Sequence, residues 1–210
     1  MDCSTIAQAI TQYNTDNIGR FPVSRDTERY STGRHRKVAG NEVDVPNGDI
    51  TFNGDDIDFM ATGNPPPNAD LMIILSAIDT LGGNNVNAGH SRNIKKFNYL
   101  GAKMSESEGG PGMGPNGVYR DPFGNPYVIT IDKNGDGKCH DKLYGTAKVS
   151  AGAGGEIGTN GLMKEDSLPG VGLGYVLLGK AMVWSFGPDQ EFSYDVDAKI
   201  DQNRDNIIGW

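Results

Sequence analysis

Apolar residues open the chain at Cys3, Ile6, Ile10 and Tyr13, spacings of three and four that place them on one face of a helix, with Gln8, Thr11 and Gln12 outside it. Asn14, Asn17 and Gly19 tolerate left-handed backbone and Pro22 cannot continue a helix, so the pattern ends this helix before Phe21. Residues 25–67 are polar and irregular; the alternation over 51–59 is weak and predicts loop with at most a short strand. A second helix is expected after Pro65-Pro66-Pro67, capped by Asn68 or Asp70, with Leu71, Ile74, Leu75, Ile78 and Leu81 in one core stripe and Gly82-Gly83 as its stop. Residues 97–100 read as a short strand or turn, and the Gly-Pro run 109–115 as loop.

The last third reads as strands. Tyr127-Val128-Ile129-Thr130-Ile131 is rich in β-formers and follows Asp121-Pro122-Phe123-Gly124-Asn125-Pro126, whose Pro and Gly positions specify a tight turn. Two further apolar runs, 174–178 and 180–186, are expected to pair with it as an antiparallel sheet, since no crossover helix separates them. Residues 145–170 form a Gly-rich excursion too long for an ordinary connection, hence mobile or specialised, and Gly170-Val171-Gly172-Leu173-Gly174 reads as a flexible linker rather than a dinucleotide loop. The fold class that follows is α+β, an N-terminal helix packed on a small antiparallel sheet with long loops, in one domain over 1–210. Within it, 1–20 is helix, 21–117 an enlarged helical and loop region, and 118–210 the sheet and terminal loop.

Composition narrows the function. A net charge of -8 is the opposite of the basic footprint that displaces counterions from phosphates, so nucleic acid is not an expected partner. No stretch reaches the ~18 apolar residues of a membrane helix. The two cysteines, Cys3 and Cys139, permit one disulfide, and a bridge or two separate thiols both fit the sequence.

Two acidic clusters are the candidates for chemistry. Asp132-Lys133-Asn134-Gly135-Asp136-Gly137-Lys138 has the alternating oxygens and turn glycine of a calcium loop, with Asp132, Asn134, Asp136 and the Lys138 carbonyl as ligands. The bidentate glutamate of such a loop is absent: Leu143 stands in its place and His140 at the water-bridging position, leaving Asp141 as a substitute. An Asx-rich turn between strands explains the same residues. Around the chain end, Asp189, Asp195, Asp197, Asp201, Asp205 and Asn206 crowd together, and the apolar Ile207-Ile208 and Trp210 predict that this segment is docked and needs a counterion. Catalytic patterns are thin. His35, His90 and His140 lie in polar loops as surface histidines, Arg34-His35-Arg36-Lys37 reads as a solvated loop, Asp56 and Asp58 are not singled out as an acid pair, and no nucleophile elbow, P-loop or zinc helix occurs. No enzyme is expected.

Three motifs resemble the type IV pilin-like proteins, specifically the major pseudopilins of type II secretion. Ile6-Ala7-Gln8-Ala9-Ile10-Thr11-Gln12-Tyr13 with Asp16-Asn17-Ile18-Gly19-Arg20-Phe21-Pro22 is similar to the end of the pseudopilin helix and its exit. Asp121-Pro122-Phe123-Gly124-Asn125-Pro126-Tyr127 resembles the family's "Asp-Pro-Trp-Gly-Asn-Pro-Tyr" signature, and this match is highly specific. Val183-Trp184-Ser185-Phe186-Gly187-Pro188-Asp189 and Asp205-Asn206-Ile207-Ile208-Gly209-Trp210 are similar to its last strand exit and its close. The middle, 23–118, is much longer than in a compact pseudopilin.

The resemblance implies a prepilin-type structural subunit that polymerises with itself and with related minor pseudopilins and meets an inner-membrane assembly platform through its first helix. It implies calcium in the terminal loop, held by the Phe186 carbonyl and by Asp189, Asp205 and Asn206, with Asp197 or Asp201 compensating for two departures. Those departures are Asn206, where the family often has Asp, and the long insert 190–204. It also implies that this chain is a soluble piece beginning within the helix, Met1 being an added initiator, of a protein anchored in the inner membrane with a periplasmic domain or carried in an extracellular filament. The alternative is a secreted calcium-dependent module that recognises a glycan or a surface protein, with a secreted hydrolase as a weaker third reading.

Overall fold

Helix α1 spans Cys3–Asp16 and buries Cys3, Ile6, Ala9, Ile10, Tyr13 and Asn14, the face that the spacing predicts. The computed structural model describes residues 3–25, 27, 36–38, 41–43, 49–52, 67–152, 157–168 and 172–210. The helix stops in a left-handed turn in which the Gly19 amide donates to the Asn14 carbonyl (2.8 Å) and Ile18 carries φ +58°.

The buried face of α1 lies on a four-stranded antiparallel sheet. Its strands are β3 (Ile50–Phe52), β6 (Val128–Ile131), β10 (Ala181–Ser185) and β11 (Ile207–Ile208), in the order β11-β10-β6-β3. Every residue of β6 and β10 is buried, which is why both read as continuous apolar runs rather than alternating ones. Ile129, Ile131, Ala181 and Val183 face α1, while Val128, Met182 and Trp184 join a second core. That second core lies beneath a three-stranded sheet made of β7 (Lys138–Cys139), β8 (Met163–Leu168) and β9 (Gly172–Leu178), and beneath the one-turn helix α3 (Ala147–Ser150). The molecule is an α+β protein with antiparallel sheets.

Several expectations are corrected here. Of the two late apolar runs only β10 pairs with β6; β9 pairs with β7 and β8 in the second sheet. The Gly179 amide, bonded to the Gly137 carbonyl (3.1 Å), fixes the turn at which the chain changes layers. The Gly-rich excursion is ordered where described: it forms α3, a 3₁₀ turn at Thr159–Gly161 and β8, and Gly172–Leu178 is strand rather than linker. Arg36 and Lys37 belong to a strand, β1 (Arg36–Val38), paired with β2 (Asn41–Val43). Arg34, His35, Asp56 and Asp58 lie outside the described residues.

Helix α2 covers only Ala69–Leu75 and is buried nearly all round. It ends early because its last carbonyls are taken from outside: Tyr99 and Leu100 amides donate to Leu75, and the Asn93 side chain donates to Ile74. Asn68 is no cap. Fully buried, it accepts from the Tyr119 amide (2.9 Å) and donates to the carbonyls of Tyr119 (2.9 Å) and Tyr127 (3.0 Å), stitching α2 to the chain on either side of the 121–126 turn. Residues 97–100 follow Asn93, whose side chain organises the turn, and the 109–115 loop contains β4 (Gly112–Met113), paired with β5 (Tyr119–Arg120).

Cys3 and Cys139 are both buried thiols, so the structure holds no bridge between them. They sit in the two cores on opposite faces of the central sheet, Cys3 against the Ile207 carbonyl (3.5 Å) and Cys139 against that of Thr130 (3.3 Å).

Candidate functional site

The tight turn at 121–126 is built on Asp121, which is fully buried. One of its oxygens accepts the amides of Phe123 and Asn125, both at 2.8 Å. Its other oxygen accepts the Asn125 side chain (3.0 Å) and the hydroxyl of Ser185. Asn125 then donates to the Gly187 carbonyl (2.7 Å). Two motifs separated by some sixty residues are therefore one hydrogen-bonded unit, and the unit holds the point where β10 leaves the sheet.

From that point the terminal loop opens. Gly187, at φ +73°, packs so closely on Asp205 that any side chain would collide with the Asp205 carbonyl. The Asp189 amide donates to the Asp205 carboxylate (3.2 Å), and Asp189 itself accepts from the Glu191 amide (2.9 Å). Asn206 donates to the Tyr144 hydroxyl (3.0 Å), and its Oδ1 is buried without a hydrogen-bond partner among the described residues. Phe186, Asp189, Asp205 and Asn206 are thus brought to one loop crossing. A buried acceptor without a partner among the described residues is the kind of group a hard cation takes, since such ions accept amide and carbonyl oxygens as well as carboxylates.

The long insert is folded back rather than loose. Buried Asn203 accepts from the Ser193 amide and donates to the carbonyls of Ser193 and Val196, and the Ala198 amide docks on the Val149 carbonyl (2.9 Å). Asp195 pairs with Lys148 and Asp197 accepts the Lys199 amide; Asp201 is exposed. The chain end is docked as expected: Ile207–Ile208 forms β11 and Trp210 packs edge-on against Tyr144.

At the other acidic loop, Asp132 is fully buried and spends its carboxylate on the amides of Gly135 (2.9 Å) and Gly137 (3.1 Å) and on the Lys180 ammonium (2.7 Å). Asn134 accepts the Asp136 amide and Asp136 the Lys138 amide, while the Lys138 side chain pairs with Glu165. This is the geometry of a satisfied Asx turn with a lysine as counter-ion. Asp141 bonds elsewhere. Fully buried, it accepts from Leu143 and Tyr144 amides (both 2.9 Å), the Thr130 hydroxyl (2.7 Å) and the Trp184 indole (3.2 Å). Among the described residues no group of three or more His, Cys, Asp and Glu side chains converges to hold a metal ion. The terminal crossing has only two carboxylates in its expected set, Asp189 and Asp205.

Searches against protein-family models, curated proteins and solved structures return no match to this chain. Site chemistry therefore rests on the residues themselves.

Sequence reading missed Asp49 and misplaced His140. Asp49 accepts the His140 amide (2.8 Å), and its second oxygen is buried without a partner among the described residues. Burial, reinforced by the negative charges of Asp132 and Asp136, pushes its carboxyl from 3.8 up to about 8 against the opposing backbone bonds from His140 and Lys133. His140 is no surface histidine; its ring edge is buried against Gly145 and burial lowers its pKa. A carboxyl that is neutral in the fold and ionised in the unfolded chain gives the folded state the extra proton. Asp49 therefore favours folding most fully below about 4 and loses that contribution as pH rises to about 8. Asp49→Asn is expected to flatten the pH dependence of the urea midpoint across this window. An unchanged slope would show that Asp49 ionises normally.

Proposed function

We propose that this chain is a pilin-like filament subunit of a type II secretion or related apparatus, structural rather than catalytic, with calcium stiffening its terminal loop. The observation that carries the reading is the bonded unit of Asp121, Asn125, Ser185 and Gly187, because it joins the highly specific 121–127 motif of the resemblance to the last-strand exit in one support for the loop. The packing of α1 on an antiparallel sheet, with the chain end beside Cys3, supports it further. No helix among the described residues is long and apolar enough to cross a membrane. The subunit then presents its globular part in the periplasm or on the cell surface and polymerises with itself and with minor pseudopilins. The native gene is decisive for this reading: a basic leader followed by an apolar helix upstream supports it, and an ordinary secretory signal peptide sinks it.

The Phe186 carbonyl, Asp189, Asp205 and the Asn206 amide oxygen would hold the ion, which supplies positive charge to a crowded acidic loop. An ion bound only by the ordered loop stabilises the fold by about 2.7 kcal/mol at one hundred times its dissociation constant. Calcium is expected to raise the melting temperature over chelator, and Asp189→Ala to abolish that rise. Asp132→Ala lowers stability on its own, through its lost amide and Lys180 bonds, yet keeps the calcium increment. An increment lost in Asp132→Ala and kept in Asp189→Ala would move the ion to the other loop.

A further inference from the structure

Glycine after asparagine leaves the main-chain nitrogen between them free to reach the asparagine carboxamide, because no Cβ shields it. The chain holds five such pairs, at 47–48, 53–54, 116–117, 134–135 and 160–161. The first two lie outside the described residues. The fold treats the other three differently. Asn116 accepts the Val118 amide (3.1 Å), and Gly117 is buried against Ile73 and Ala69 with its amide donating to the Gly114 carbonyl (2.8 Å). Asn134 is held at both ends of its carboxamide, which accepts the Asp136 amide and donates to the Asp136 carboxylate, both at 3.0 Å. The Gly135 amide is spent on Asp132 (2.9 Å).

Asn160 has neither restraint on its side chain. It is exposed, stands in left-handed backbone (φ +51°), and its carboxamide makes no hydrogen bond among the described residues. Gly161 follows it exposed, with open space where a Cβ would lie, and its amide makes the longest of the three glycine bonds, 3.2 Å to the Gly158 carbonyl. Reaching the attacking geometry at Asn160 costs that one long bond, whereas Asn116 and Asn134 must give up side-chain bonds as well. Asn160 also stands where backbone length matters. Its turn is closed by the Gly158 amide on the Leu162 carbonyl (2.7 Å) and by the Leu162 amide on the Thr159 carbonyl (3.2 Å). Leu162, fully buried in the second core, leads directly into β8.

We propose that the Asn160–Gly161 pair is a site of spontaneous deamidation that leaves an exposed isoaspartyl residue at the entrance to β8. The Gly161 nitrogen bonds to Cγ of Asn160, the Cγ–Nδ2 bond breaks, and the displaced nitrogen leaves as ammonia with the proton of the Gly161 amide. Water then opens the cyclic imide at one of its two carbonyls, with no change of oxidation state. Opening at Cγ gives aspartate. Opening at the main-chain carbonyl gives isoaspartate, whose backbone runs through Cβ and is one carbon longer. Aspartate keeps the turn, since it tolerates left-handed backbone. The longer isoaspartyl backbone does not fit a turn closed by the Gly158 and Leu162 bonds, so Leu162 and the start of β8 loosen. Nothing in this chemistry depends on the filament reading.

Timed incubation of the whole folded chain in mildly alkaline buffer, followed by peptide mapping with mass spectrometry, tests it. Conversion at Asn160 is expected to run about tenfold or more ahead of conversion at Asn116 and Asn134. Unfolding in urea removes the restraints of the fold and should bring the three rates close together. An isoaspartyl carboxyl methyltransferase, used as a probe of the isomer, should label the peptide that contains position 160. The Asn160→Asp variant, aged in parallel, is expected to lose less of its melting temperature than the wild-type chain. Asn116 or Asn134 converting as fast as Asn160 in the folded chain overturns the proposal, as does an Asn160 peptide that stays unchanged. A wild-type chain that carries isoaspartate at this position yet melts like the aged variant overturns the assigned loosening of β8.

Discussion

Asp141→Ala is expected to lower the unfolding free energy by about 3–5 kcal/mol, enough to leave a typical domain close to unfolding. The carboxylate is fully buried in the second core and is the shared acceptor of the Trp184 indole, the Thr130 hydroxyl and the amides of Leu143 and Tyr144. Truncation strands those donors in a site that water does not reach, so each loses its bond without a replacement. The Thr130 hydroxyl keeps its bond to Thr51, which softens the loss at that position. Asp141→Asn keeps one acceptor oxygen but brings an amide that finds only donors around it, and should fall between wild type and alanine. Urea midpoints measure both, and the near-ultraviolet signal of Trp184, which packs edge-on against Tyr144, reports whether the core loosens. A loss under about 1 kcal/mol would mean that the carboxylate is not the acceptor it is taken for.

Asp121→Ala carries the second large effect, about 3–4 kcal/mol, together with a consequence for calcium. Its oxygens accept from Phe123, Asn125 and Ser185, and Asn125 passes the constraint to the Gly187 carbonyl. Without Asp121 the turn and the strand exit are no longer one unit, so the calcium-dependent rise in melting temperature should shrink along with overall stability. Ser185→Ala removes one bond and should cost about 1–2 kcal/mol. The pair Asp121→Ala and Asn125→Ala should be clearly non-additive, because either change breaks the same path to Gly187. Additive losses would mean that the two side chains act independently.

Local pattern made part of this molecule legible and hid the rest for identifiable reasons. The face of α1 follows from a period of three and four, and β6 follows from five consecutive β-forming residues, since both are properties of neighbours in sequence. The length of α2 is not such a property. Its end is set by amides of residues 99 and 100 and by Asn93, and nothing within residues 69–81 announces them. Asn68 looked like a helix cap because asparagine before an apolar run usually is one; here the strands on either side of the turn offer it three backbone partners. The lysine that answers Asp132 lies 48 residues away, so the loop alone reads as a metal loop lacking a ligand. Asp49 sits in a polar stretch without periodicity, and only the fold reveals that it is buried near the charges of Asp132 and Asp136. Near the chain end, the tie from Asn125 to the Gly187 carbonyl joins residues 62 apart, and no local pattern announces it.

Closure of the chain on itself also bears on the order of events during synthesis. The Cys3 thiol reaches a carbonyl 204 positions away, and β11 completes the central sheet beside β10 with residues 207 and 208. Bringing such distant segments together carries a loop-closure cost that must be met before their contacts form. While the chain emerges from the ribosome, the start of α1 has no β11 to lie against until residues 207 and 208 have been made. The sheet edge on β10 remains open for the same interval. The start of α1 is thus kept from its finished packing until residues 207 and 208 arrive, however early the helix itself forms.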